Sequence, residues 1–467
     1  MLFDFENRLD VKSFNHILKN KKYDYIIIGT GPAAIVLYKE ILKYKKKNIL
    51  LIEKGNFKEK KIEKINFKSL PINQRSRIFS VGGTSNEWSN FSSYFENYEF
   101  MSRWGKKYEN LWPFTYAYLN KFYYKLHENY GFNFKKIIKK KFNFPFHTRN
   151  FIAKKNPTNF RNIINQNEID LLINCNAETL SENKKNSYVD IKNKYNEFRI
   201  LGKKIILCAG GLESVKIILK SIKYKRLPVT NRAAVGSYFM DHPKINIGFI
   251  KNEKNYYIKK LFLKDKKNVI SYFGLSLNKN MQREKKLLNS YVRFEKVFSN
   301  YDSQFDKYDL IKLIKYFFIK IFNIKKNKIY RLRLFCEMKP NKKNRIYLSK
   351  NDELIVNYKF NSTDIKTAQV LQKKINEYFS LNPKKEKIFK LTKSNLFNFI
   401  EDASHHMGGL IYSKNKKEAI VDKNLKILGT KNIYVCSSAI FPTSGSANPT
   451  MTICALSLML AKYLTKD

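Results

Sequence analysis

The sequence predicts an α/β protein: a Rossmann-like domain assembled from separate stretches of chain, joined to a second domain with an antiparallel sheet and helices. Three observations predict this. Near the N-terminus an apolar run passes through a glycine turn into a helical pattern and on to a second apolar run. A similar strand, small-residue turn and helix recur over Lys203–Leu219, and the later stretches RLRLFCEM, NRIYLS and LIVNYKF alternate well enough for an antiparallel sheet.

The first unit opens with YDYIIIG (Tyr23–Gly29), continues into TGPAAIVLYKEILKY with helical spacing, and returns as NILLIEKG (Asn48–Gly55). At its turn stands Gly29-x-Gly31-x-x-Ala34, and Glu53 ends the second strand. Gly29 permits a tight turn, Gly31 lets the backbone approach a pyrophosphate, and the small Ala34 keeps helix and strand close. The helix N-terminus attracts phosphate charge, while Glu53 can accept from a ribose hydroxyl. This unit predicts dinucleotide binding. The second unit, KKIILCAGGLESVKIIL, implies that sheet strands come from distant parts of the chain. Between the two lie a glycine loop, RIFSVGGTSNEWSN (Arg77–Asn90), and an aromatic-rich helical stretch, NLWPFTYAYLNKFYYKLHENYGF (Asn110–Phe132). The predicted division assigns residues 1–100, 165–244 and 400–467 to the Rossmann-like domain, and 101–164 and 245–399 to a substrate-binding domain.

With 467 residues, 43% of them hydrophobic, the chain can fill two such cores. Its formal charge of +51 alone would suggest a nucleic acid or an anionic membrane as partner. However, lysine, asparagine, isoleucine, phenylalanine and tyrosine are enriched together, and positive charge runs through nearly every segment. The charge therefore reflects a bias of the whole chain, and nucleic acid is not expected as a partner. Cys175, Cys208, Cys336, Cys436 and Cys454 are far apart and form no CxxC, which argues against a disulfide framework, a zinc site or attached haem. No run reaches the length of a membrane span and no leader pattern opens the chain, so the expected address is the cytoplasm.

Further motifs follow in order: VGGTS (Val81–Ser85), CAGGLES (Cys208–Ser214), VGSYFMDHP (Val235–Pro243), HHMGG (His405–Gly409), AIVD (Ala419–Asp422), IYVCSSAIFPTSG (Ile433–Gly445) and ANPTMTICAL (Ala447–Leu456). With the N-terminal unit they make the chain resemble the glucose-methanol-choline (GMC) family of flavin-dependent oxidoreductases. The resemblance covers both ends and most of the flavin domain; the middle third, which would choose the substrate, matches at scattered points. It implies FAD as cofactor, held by Gly29, Gly31, Pro32, Ala33, Ala34 and Glu53, by Gly82, Gly83, Thr84, Ser85 and Ser89, by Thr179, by Ala209 and Gly210, and by Ser437, Ser438, Pro449 and Thr450. It also implies oxidation of a CH–OH group in a small-molecule alcohol, sugar or polyol, with O2, a quinone or a redox protein as electron acceptor.

Two histidines precede a glycine pair in ASHHMGGLIY (Ala403–Tyr412). The family's base is the histidine of H-x-x-G-T, which here is His405 with Gly408, and Gly409 replaces the threonine; His406 with Gly409 has the same spacing. Strand alternation is expected to turn His405 toward the flavin and His406 away, into a structural role. A neutral imidazole suits removal of a hydroxyl proton while hydride passes to flavin N5. Asn448 falls at the family's second catalytic position, where its amide would hydrogen-bond the substrate oxygen; it also stands where asparagine caps a helix. Pro449 suits the first turn of that helix, whose N-terminus would stabilise negative charge on the reduced ring.

Three departures from the family pattern matter. Glu87 precedes Trp88 where relatives that attach FAD covalently carry the linking histidine, so the flavin is expected to be non-covalent. Gly408–Tyr412 replaces GT-x-RM and loses an arginine. Finally, Asp309–Lys326 places Lys312, Lys315, Lys320 and Asn323 on one helical side and Leu313, Ile314, Phe317, Phe318, Ile321 and Ile324 largely opposite. It reads either as a helix lying peripherally on an anionic membrane or as one packed on its own protein. Two other functions fit the same motifs: a lyase on the flavin fold, and a non-catalytic basic flavoprotein that binds a membrane or nucleic acid.

Overall fold

The computed structural model describes residues 1–467 except 45–46, 60, 102–110, 131–145, 155–157, 184–185, 194–196, 252–257, 259–260, 265–268, 297–328, 383–385, 393–395 and 467. The amphipathic segment Asp309–Lys326 lies outside the described residues. Among those described, no helix is long and apolar enough to cross a membrane.

Six strands of the first sheet run parallel, in the spatial order Leu2–Asp4, Asp170–Ile173, Ile49–Ile52, Tyr23–Ile28, Glu197–Leu207 and Ile433–Val435. Most of their apolar residues are buried, including Ile26, Ile27, Leu50, Leu51, Leu171, Leu172, Ile205 and Ile206. Continuous apolar runs of this kind suit strands covered on both faces. Both strand–turn–helix units of the sequence are present, through helices Pro32–Tyr44 and Gly210–Lys223. Helix Pro449–Leu464 packs on Pro32–Tyr44. The long strand Glu197–Leu207 takes two partners along one edge: its first half pairs antiparallel with Ser187–Lys192, and its second half runs parallel to Ile433–Val435. This sheet is the Rossmann-like body that the sequence predicts.

The second sheet is antiparallel. Tyr291–Lys296, Ile329–Phe335 and Lys244–Lys251 lie side by side, His147–Lys154 and Val269–Ser276 continue one side, and the short strand Ile400–Glu401 adds to Lys244–Lys251 on the other. Of the three alternating segments expected to share one sheet, only RLRLFCEM belongs here. NRIYLS and LIVNYKF form the hairpin Arg345–Leu348 and Leu354–Tyr358, whose outer partner is the parallel strand Asn66–Ser69. Pro340 and a turn closed by the Asn344 N–H on the Asn341 carbonyl redirect the chain after Cys336. Alternation reports a half-buried strand and says nothing of its neighbour. All five cysteines are buried and free.

Pairing register places one set of side chains together on the second sheet. Tyr291 stands opposite Phe335, Arg293 opposite Arg333 and Glu295 opposite Arg331, while Lys244 and Asn246 stand opposite Phe335 and Arg333 from the other side. The alternate residues Val292, Phe294, Leu332, Leu334 and Ile245 enter the core.

Candidate functional site

A cavity of about 1380 Å³ is lined by residues from both sheets. It exceeds the roughly 300–1,000 Å³ of a drug-sized ligand site, as a dinucleotide with a substrate beside it requires. Most of the residues singled out in the sequence line it: Gly29, Gly31, Pro32, Ala33, Glu53, Gly83, Thr84, Ser85, Ser89, Ala209, Gly210, His405, Ser437, Ser438, Asn448, Pro449 and Thr450.

The loop between the first strand and helix has the shape of a cradle. Gly29, at φ 98°, has no room for a side chain, since a Cβ there would sit 2.7 Å from the Cys208 carbonyl oxygen. At Gly31 a Cβ would meet nothing within 4 Å, so this backbone is open to a ligand. Gly83 closes over it, its own Cβ position lying 3.1 Å from the Gly31 Cα. Glu53 is buried and already accepts from the Thr30 hydroxyl at 2.6 Å, the Thr30 amide at 3.1 Å and the Gly55 amide at 3.0 Å. Burial pushes its pKa above the ordinary carboxylate value. Helices Pro32–Tyr44 and Pro449–Leu464 both begin at the cavity, and neither carries an acidic residue in its first turn, so their positive ends are open to ligand charge. These features fit the pyrophosphate, ribose and ring of FAD.

Three expected cofactor residues lie elsewhere. Ala34 is fully buried in the helix packing, and Gly82, at φ 92°, shapes the glycine loop and donates its N–H to the Thr30 hydroxyl at 3.2 Å. The Thr179 hydroxyl donates to Asp190 at 2.7 Å within the hairpin Asn176–Glu182 and Ser187–Lys192. An irregularity in register between Ala177 and Thr179 separates Thr179 from the lining, to which Cys175, Asn176 and Ala177 contribute.

The two histidines are placed by hydrogen bonds. Ser404, Gly408 and Gly409 all have positive φ, so the segment is no regular strand and alternation does not set its side chains. The clamp comes from the MDHP motif: Asp241, fully buried, accepts the His405 amide on one carboxyl oxygen and the Ala403 amide on the other, each at 2.9 Å. Burial, and then the Asp402 carboxylate, pushes the Asp241 pKa up to about 7. His406 Nε2 donates to Asp402 at 3.0 Å, and Asp402 also accepts from the Asn73 amide at 2.6 Å. The Ser438 hydroxyl donates to the His406 carbonyl at 2.6 Å. Despite burial, the Asp402 carboxylate raises the His406 pKa. His406 is thus held in place by Asp402 and Ser438, with one edge in the cavity wall.

His405 meets a different partner, His242, which sequence reasoning passed over although it stands in the quoted motif. The two Nδ1 atoms are 3.1 Å apart. His242 Nε2 faces the carbonyl oxygens of Gly445 at 2.9 Å and Ser444 at 3.1 Å, which can only accept, so this nitrogen carries the proton. Burial pulls the His242 pKa down to about 4, leaving the ring neutral and its Nδ1 an acceptor. His405 must then donate through Nδ1–H, and its Nε2 keeps the lone pair. Burial above all, with the charge of Lys244 adding to it, holds the His405 pKa well below the ordinary imidazole value. The result is a neutral imidazole of defined tautomer on the cavity wall. Asn448, also in that wall, is the N-cap residue of Pro449–Leu464 but makes no side-chain capping hydrogen bond, which leaves its amide to the cavity.

Residues 340–457, the stretch holding His405 and Asn448, match the family model described as GMC oxidoreductase. No curated protein matches the chain in sequence. Among solved structures the chain is similar to a formate oxidase variant from Aspergillus oryzae, with TM-score 0.68 and 12% identity over 96% of this chain and 98% of that one. It is also similar to a pyridoxine 4-oxidase from Mesorbium loti, TM-score 0.60 and 12% identity, and to a fungal aryl-alcohol oxidase, TM-score 0.61 and 11% identity, each over 95% of this chain and 99% of the other. At such identities the likeness is one of fold, and it extends along nearly the whole chain. The stretch that carries the histidine pair thus matches the GMC oxidoreductase model, and it does so on a fold shared with these oxidases and around a dinucleotide cradle.

Proposed function

We propose that the protein oxidises the CH–OH group of a sugar or other polyol, with His405 as the base. The observation that carries this reading is the link from the Gly445 carbonyl through His242 to His405, which leaves His405 Nε2 unprotonated in the cavity wall. His405 takes the hydroxyl proton as the C–O bond gains double-bond character, and Asn448 donates its amide to the substrate oxygen. FAD, when bound, would supply an acceptor for the hydride that leaves the same carbon and a route for its two electrons to O2, a quinone or a redox protein. The start of helix Pro449–Leu464 faces the negative charge that this transfer creates. In this reading the first sheet carries the cofactor and the second sheet frames the substrate. Anaerobic addition of alcohols and sugars to the flavin-loaded protein tests the reading. Bleaching of the flavin by at least one alcohol is expected, and turnover of a substrate without any flavin reduction would favour a lyase instead.

Two further outcomes follow from the same residues. Glu87 stands before Trp88, so acid precipitation should release the flavin into the supernatant; flavin that stays with the denatured chain would show a covalent link made elsewhere. The base must be neutral to act, and burial lowers its pKa. The limiting rate of flavin reduction should therefore stay level as pH falls from about 8 to about 6.5, and decline only below the ordinary imidazole value. A rate already falling with acidification between pH 8 and 7 would mean that an exposed group is the base.

A further inference from the structure

Two buried asparagines stand in the cavity wall where an amide is costly unless a ligand binds it. Asn90 lies where the chain leaves the glycine loop for the second sheet. Trp88 and Ser89 before it and Phe91 after it also line the cavity, and Ser92 and Ile152 exchange backbone hydrogen bonds of 2.8 Å and 2.9 Å. The Phe91 ring packs edge-on against Tyr272 of that sheet, with centroids 4.6 Å apart. Asn90 is thus set between the cofactor cradle and the second sheet. Its backbone has φ 58°, in the left-handed region that glycine adopts freely and a side chain makes unfavourable. The residue is 2% exposed, and its Oδ1 has no hydrogen-bond partner among the described residues. A glycine there would avoid both costs, the backbone strain and the unsatisfied amide.

Asn246 lines the cavity from the second sheet, on the strand Lys244–Lys251 that starts just after His242. The pairing of this strand is irregular between Asn246 and Gly248, and there the Gly248 N–H donates to Asn246 Oδ1 at 3.2 Å. That contact fixes which end of the amide is used. The NH2 end, in a residue 5% exposed, has no partner among the described residues. One amide therefore offers an acceptor and the other a donor, which together complement the hydroxyl groups of a ligand.

From this arrangement we infer that Asn90 and Asn246 select the substrate: one hydroxyl besides the reacting one donates to Asn90 Oδ1, and a further oxygen accepts from Asn246 Nδ2. The inference rests on the alcohol-oxidising reading above and adds to it the residues that choose among alcohols. It requires at least two oxygens beyond the reacting hydroxyl, which a triol, an alditol or a sugar has and a simple aliphatic or aryl alcohol lacks. A molecule without them leaves both amides buried and unpaired, and a site built to hydrogen-bond its substrate rejects such analogues for that reason.

The test uses flavin-loaded protein under anaerobic conditions, with alcohols matched in carbon skeleton: glycerol against 1-propanol, sorbitol against 1-hexanol and myo-inositol against cyclohexanol, with benzyl alcohol as the aryl case. At least one polyol should reduce the flavin with an apparent Kd about 10- to 100-fold below that of its match, although apolar burial alone favours the match. Asn90→Gly deletes the amide where the backbone suits glycine. It should raise the Kd of that polyol by about 10- to 100-fold without lowering the melting temperature. Asn246→Leu should raise the Kd by a similar factor, and in both variants the loss should be greater for the polyol than for its match. A structural role for Asn90 predicts the opposite pattern, a lower melting temperature with polyol affinity unchanged, and that result would overturn the inference. Loss of flavin from Asn90→Gly at unchanged polyol affinity would also overturn it, by assigning the amide to the cofactor. If Asn246→Leu does not fold, Asn90→Gly and the wild-type comparison decide. Equal or better use of every simple alcohol would overturn the inference and leave oxidation of alcohols standing. Failure of all these alcohols to bleach a flavin that dithionite does reduce would overturn both.

Discussion

With His405 as the proposed base, His405→Ala should lower the limiting rate of anaerobic flavin reduction by about two to four orders of magnitude, because a positioned general base is typically worth that much. Flavin content should be near normal, since the dinucleotide cradle at Gly29, Gly31 and Gly83 is formed by other stretches of chain. The informative partner is His406→Ala. His406 pairs with buried Asp402, which also holds the Asn73 amide, so its loss leaves a carboxylate short of a partner inside the protein. That variant should lose about 3 kcal/mol of stability, at the lower end for breaking a buried ion pair, or lose flavin, and any flavin-loaded fraction should react at a rate much closer to wild type. Equal rate losses in two fully loaded variants would show that the roles of the two histidines have been exchanged.

The second large effect is expected at His242, which acts through His405 as a positioning residue. His242→Leu removes the Nδ1 acceptor and leaves the His405 ring free to turn or to move its proton to Nε2. Reduction should slow by about 10- to 100-fold, the scale of a misplaced catalytic group. A merely structural role would give the same loss of rate, so two further readouts matter. His242→Asn keeps an acceptor toward His405 and should recover part of the rate. The pH profile should also change in the leucine variant, with its acid limb moving from the wild-type position. The neutral-tautomer link would be disproved by an unchanged profile together with no recovery in the asparagine variant.

Much of the fold was legible in the sequence because its signals are local. The runs Tyr23–Ile28 and Ile49–Ile52 and the patterned helix between them need no knowledge of the rest of the chain to be recognised, and Gly29 and Gly31 mark a turn whose steric reasons lie within a few residues. Helix Pro449–Leu464 declares itself in the same way through its proline and apolar run. The ordered motifs of the C-terminal quarter brought His405 and Asn448 to notice together, and both line the cavity.

Other features were decided by contacts between residues far apart in sequence. Alternation identified three strands after Ile329 but could not assign them to two different sheets, because the pattern of one strand does not name its neighbour. The different surroundings of His405 and His406 come from Asp402, from Asp241 and from His242, the last lying 163 positions from His405, and strand alternation has no part in them. Whether Asn448 caps its helix was open until its side chain proved to make no capping bond. The gathering of Lys244, Arg293, Arg331 and Arg333 on one face of the second sheet was invisible for the same reason: in a chain so rich in lysine they look like ordinary solvated charges. The sequence by itself determined the dinucleotide cradle and brought the histidine pair to notice, since each rests on short-range pattern. Only the tertiary structure decided the tautomer of His405 and which side chains surround it, because hydrogen-bond partners and cross-strand register exist only once distant segments have met.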